Sequence, residues 1–123
     1  MISTYTFKTV PFRIMRPTLA TLMGAALLVF GQVEVDDKLA TKLFLLRDAT
    51  NKLDNPTRNQ IQTRLAAWYG VSLELADATE AVNPQLAGLL RNVCKEADWI
   101  EPAWVYMQER MVEWTAANTE VKQ

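Results

Sequence analysis

Residues 16–31, RPTLATLMGAALLVFG, form the most apolar stretch of the 123-residue chain. Whatever buries this stretch decides between a helical domain, an exported protein and a membrane-attached one. Between positions 18 and 30 only Thr18 and Thr21 are markedly polar. A bilayer span needs about 20 apolar residues, so this run has the length of a core helix or of a signal-peptide apolar region. Lys8, Arg13 and Arg16 precede it and the first acid is Glu34, the charge order of a signal peptide, with Val29 and Gly31 placed ahead of a cleavage at Gln32. The alternative, which the flanks favour, is a core helix over 18–30, with Pro17 at its start and Gly31 as a left-handed cap. Such a helix is apolar all round, so it is expected at the centre of the fold, and Gly24→Leu is expected to overpack it.

Half of the residues are hydrophobic and 22% are charged, a composition that predicts one globular domain over residues 1–123. The net charge of −1 hides an asymmetry: residues 1–64 carry nine Lys/Arg and five Asp/Glu, residues 65–123 four and nine. This is not the uniformly basic surface of a nucleic-acid binder. The chain has no histidine and a single cysteine, Cys94, in an apolar pattern. His-dependent catalytic pairs and imidazole metal sites are closed off, and Cys94 reads as a buried structural thiol. No cofactor, metal site or catalytic set is expected, and no P-loop or dinucleotide fingerprint is present.

Along the chain, Tyr5, Phe7, Val10, Phe12 and Ile14 alternate roughly with period two, which predicts a β-like arm or hairpin over 1–15, with Pro11 at an edge. Asp36-Asp37 starts an amphipathic helix over about 37–52, with Leu39, Leu43 and Leu46 inward and Phe44 widening the stripe. Asn55-Pro56 opens a helix through Ile61, Leu65 and Trp68 that Gly70 is expected to end. Ser72 then caps a short helix facing inward through Leu73, Leu75, Ala76, Thr79 and Val82. Asn83-Pro84 opens another through Leu86, Leu89, Leu90, Val93 and Ala97, and Pro102 opens the last. The expected fold is mainly α: a bundle of five or six short helices around the central 18–30 helix, with a frayed tail over 116–123.

Three patterns bear on function. The sequence around Gly70 resembles the corner of a helix-turn-helix, but the helix after it carries Glu74, Asp77 and Glu80 and no cation, which DNA phosphates would repel. Glu109 and Glu113, with Glu101 further back, read as a solvated helix face. Trp104, Met107, Met111 and Trp114 fall on one helical face, at once a core stripe and a candidate partner surface.

Residues 5–22, YTFKTVPFRIMRPTLATL, resemble the opening of tail assembly chaperones of long-tailed bacteriophages, at Phe12, Arg13, Arg16, Pro17, Thr18 and Leu19. In that family a short β element feeds a small helical domain. The resemblance implies a cytoplasmic, non-enzymatic assembly factor that binds the tape measure protein and self-associates. Phe7, Phe12, Trp104, Met107, Met111 and Trp114 are the candidate partner-binding residues. Nucleic acid and membrane are not expected partners. The rival readings are a small helix-turn-helix-like DNA-binding or regulatory protein, and a secreted or periplasmic helical binding protein with a signal peptide over 1–31.

Overall fold

In the computed structural model, which describes residues 11–100, the apolar run lies in a helix longer than expected, α1, Phe12–Phe30. Three more follow, α2 Asp37–Asn51, α3 Arg58–Thr79 and α4 Pro84–Glu96, and a 3-10 turn spans Asp98–Ile100. The fold is thus mainly α, with four α-helices and no strand among the described residues. The expected five or six helices are therefore corrected, with the proposed last helix and the 116–123 tail lying outside those residues.

The β-like reading fails from Phe12 to Met15, which form the first turn of α1; residues 1–10 lie outside the described part. Met15, Leu19, Leu22, Ala26 and Val29 succeed one another at intervals of four and three and all are buried, so the helical period reaches back to Met15, the last residue of the supposed arm. Pro11 is the extended N-cap residue (φ −62°, ψ 143°), and Pro17 lies inside the helix. Thr18 and Thr21 hydroxyls donate to the carbonyls of Ile14 and Pro17, at 2.8 and 2.9 Å. Gly31 does close α1, but in right-handed geometry (φ −69°, ψ −12°), its N–H reaching the Leu27 carbonyl.

Asp36 caps α2 as its position suggests, accepting from the Leu39 amide at 2.8 Å. Asn55-Pro56 does not cap α3. Asn55 turns through positive φ (47°), and Thr57 builds a reciprocal capping box with Gln60. Asn83 caps α4 with Pro84 directly behind it, its side chain accepting from Leu86 N at 3.2 Å.

The largest correction concerns Gly70. α3 runs through it without interruption, and Ser72 lies buried within the helix rather than at its cap. The reason is register: Ile61, Leu65, Trp68, Ser72, Leu75 and Thr79 are spaced four, three, four, three and four apart, and every one is buried. A glycine inside a helix costs about 1 kcal/mol relative to alanine, and each large side chain withdrawn from water returns about 1.5–3 kcal/mol. Continuing the helix therefore wins, and the corner on which the DNA-binding reading rested is absent.

α3, not α1, is the central helix. It packs against α1, α2, α4 and the 3-10 turn, while α1 also packs against α4. The outer side of α1 is uncovered, Gly24 being exposed with no atom within 4 Å of the place a Cβ would occupy, so overpacking by Gly24→Leu is not expected. Val82 is 72% exposed, against the expectation that it faces inward, because the helix before it has ended at Thr79; Leu89 is exposed as well.

Candidate protein-binding surfaces

Of the six residues nominated as partner contacts, Phe7, Trp104, Met107, Met111 and Trp114 lie outside the described residues, and Phe12 is the first residue of α1. Among the described residues the exposed large apolar side chains are Ile14 and Leu28 on α1, Phe44 and Leu45 on α2, Val82 after α3 and Leu89 on α4.

Four consecutive apolar residues, Leu43 to Leu46, occupy the middle of α2. Successive helical positions are 100° apart, so four in a row cover most of the circumference and cannot all face one neighbour. Leu43 is fully buried and Leu46 half-buried, leaving Phe44 44% and Leu45 65% exposed. Phe44 meets Phe30, at the end of α1, edge to face with ring centroids 5.3 Å apart. The Arg47 guanidinium lies 5.0 Å from the centre of the Phe44 ring and also pairs with Asp48. These contacts hold Phe44 in place, so the Phe30/Phe44/Leu45 edge is an ordered apolar ledge beside a cation. The exposure of Phe44 and Leu45 could have been read from the four-residue run, which is wider than an amphipathic stripe requires.

A second feature is an open groove of about 250 Å³ between α1 and the α4 end, lined by Pro17, Thr18, Thr21 and Leu22 on one side and Val93, Glu96, Ala97 and Trp99 on the other. The Thr18 and Thr21 hydroxyls are committed to the Ile14 and Pro17 carbonyls, and the Glu96 carboxylate adds a charged group to a lining of mixed polarity.

The carboxylates that made α3 look unsuited to DNA join helices. Lys42 of α2 donates to both oxygens of Glu74 at 3.0 and 3.1 Å. Arg91 of α4 donates to Asp77 at 2.9 Å and also to Glu80. The hydrogen bonds to Asp77 and then Glu80 raise the Arg91 pKa above its ordinary value. All these groups are substantially solvated, so they set the relative placement of α2, α3 and α4 more than they stabilise it.

Cys94 is buried on α4, and burial pushes its thiol from 9.0 up to about 11. Alkylation of the native protein at pH 8 is expected to be far slower than alkylation in denaturant, as followed by mass spectrometry; equal rates would place the thiol at the surface. The sign for stability follows. The folded state holds its proton longer, so this contribution is intact below pH 9 and is lost as pH rises through about 11. Among the described residues no cluster of three His, Cys, Asp or Glu side chains is arranged to hold a metal ion.

The chain matches no protein-family model, and neither a curated protein nor a solved structure is similar to it.

Proposed function

We propose that the protein is a non-enzymatic binding and assembly factor whose protein partner docks on the Phe30/Phe44/Leu45 edge. The observation that carries this reading is Leu45, 65% exposed on an ordered helix beside a fixed aromatic pair. Large apolar side chains grouped on rigid elements, next to an arginine, have the chemistry of a protein contact centre.

The narrower form of the proposal is a tail assembly chaperone that binds a phage tape measure protein in the host cytoplasm. Its support is the sequence of Phe12, Arg13, Arg16, Pro17, Thr18 and Leu19, together with the small helical domain that follows. Those residues lie in the first turns of α1, and the short β element that the resemblance places ahead of the helical domain falls largely on residues outside the described part.

The test is copurification from the native cell, with the wild-type chain and a Phe44→Glu/Leu45→Glu double variant. A partner held by the wild type and lost at least tenfold by the variant is the expected result. A partner retained equally by both would overturn the docking edge, and recovery of none would overturn the binding reading. Both substitutions are at exposed positions, so the helical circular dichroism should be unchanged.

A further inference from the structure

Charge is arranged along the exposed edge of α2 in a way that selects what can lie on it. Successive helical residues turn by about 100° and rise about 1.5 Å, so Lys38 and Lys52 stand within about 20° of Leu45, one about 10.5 Å before it and one as far after. Lys52 is the C-cap of α2 and keeps helical backbone (φ −82°, ψ −9°), its N–H bonded to the Asp48 carbonyl at 3.1 Å, so the spacing holds through it. All three side chains are exposed. The charges on either side of this line are already answered: Lys42 pairs with Glu74 at 3.0 Å, and Asp48 with Arg47 at 3.1 Å. Asp37 lies further round, in the first turn, where a carboxylate suits the positive end of the helix. Lys38 and Lys52 have no ion partner among the described residues.

We propose that the occupant of this edge is an amphipathic helix of a partner protein, with carboxylates seven residues before and after the apolar side chain that meets Leu45. The proposal rests on the reading of the edge as a protein-docking site, and adds the chemistry of what docks. The surface is the ridge of a helix, so an extended peptide would find no unpaired strand backbone to join. A helix laid alongside advances at the same rise per residue and stays in step with the ridge. Seven-residue spacing drifts by about 20° per repeat, which a crossing angle of about 20° absorbs. Under such a helix Phe44 and Leu45 leave water, while the two lysines keep their ammonium groups at the rim, where a carboxylate can meet each.

The same edge of a second copy fits poorly, because it would set lysine against lysine in either direction. An anionic lipid surface would attract the lysines but would also face the Asp48 and Glu74 carboxylates on either side of them. A helix whose negative charge sits at two points seven residues to either side of its anchor meets the cations and avoids those acids.

Two dye-labelled, stapled fifteen-residue helices test this against the full chain. Both carry leucine at positions four, eight and eleven, with alanine and glutamine elsewhere; one has glutamate at its first and last positions and the other lysine. An exposed ion pair shifts affinity severalfold, so fluorescence anisotropy at low salt should show the glutamate helix bound at least about tenfold more tightly. Added salt should shrink the difference. Lys38→Glu/Lys52→Glu should reverse the preference, and Leu45→Ala should weaken both helices. These positions are exposed, so helical circular dichroism should be unchanged in each variant. Equal affinity for the two helices, a preference that survives the double reversal, or no binding of the glutamate helix would each overturn the proposal. So would capture of the wild type, but not of the lysine double variant, by phosphatidylcholine vesicles containing phosphatidylserine. In the copurification, a partner lost by Phe44→Glu/Leu45→Glu and kept in full by Lys38→Glu/Lys52→Glu would overturn the acidic occupant alone and leave the docking edge standing.

Discussion

Trp68→Ala is expected to cost about 3–5 kcal/mol of folding stability, the range for removing a buried aromatic and leaving a cavity. Trp68 is completely buried on α3, the helix against which every other described element packs. Its indole Nε1–H donates to Thr50 Oγ1 at 2.9 Å, and the Thr50 hydroxyl in turn donates to the Leu46 carbonyl at 2.7 Å. The indole is therefore the buried polar tie between α2 and α3, as well as a large part of the core volume. A domain of this size has about 5–15 kcal/mol in all, so the loss takes a third or more of it and can unfold the chain outright. Urea unfolding should show the midpoint falling with little change in slope. Thr50→Val separates the two contributions, because it leaves the indole N–H buried and unpaired at a cost of about 1–3 kcal/mol without opening a large cavity. If Trp68→Ala lost no more than Thr50→Val, the cavity argument would fail and the side chain would not be filling the core.

How far the fold could be read from the sequence depended on whether punctuation agreed with period. At Asp36 and Asn83 a capping side chain stands immediately before a helical stripe, and both were legible. At Asn55-Pro56 the punctuation was real but displaced, since Thr57 with Gln60 satisfies two backbone donors where Asn55 would satisfy one. At Gly70 punctuation and period conflicted, and the unbroken spacing from Ile61 to Thr79 prevailed because it buries six successive positions on one face. The same conflict explains the N-terminal error: alternation over a few residues up to Ile14 competed with a three-and-four spacing that begins at Met15 and continues for four turns. Expecting α1 at the centre failed for a different reason. Its composition is apolar on all sides, but Ala20, Gly24 and Gly31 contribute little area to bury, so α3 with Trp68, Leu65 and Leu75 holds the middle instead. The candidate surface was legible only in the excess of the Leu43–Leu46 run over what one helix face can bury.

Removing residues 1–31 is expected to abolish cooperative folding of the remainder. Met15, Leu19, Leu22 and Val29 are each at most 6% exposed, and with Ala26 they form the side of the core that α1 presents to α3 and α4. At about 1.5–3 kcal/mol for each of the four larger side chains, α1 contributes on the order of 6–12 kcal/mol of burial, comparable to the whole stability of such a domain. Its loss also opens the faces of α3 and α4 that it covers, so Leu65, Leu90 and their neighbours would lie against water. The chain beginning at Gln32 should therefore show reduced helicity, no sharp thermal transition and binding of an apolar dye. Adding a synthetic peptide of residues 11–31 should restore part of the helical signal, because the missing surface is contiguous in sequence. A 32–123 chain that melts cooperatively would show that α1 is dispensable to the core, and would favour the signal-peptide reading of residues 1–31 over the core-helix one. The face of α1 that buries these five side chains is opposite the one bearing Gly24, so substitutions at Gly24 should leave stability intact where this truncation destroys it.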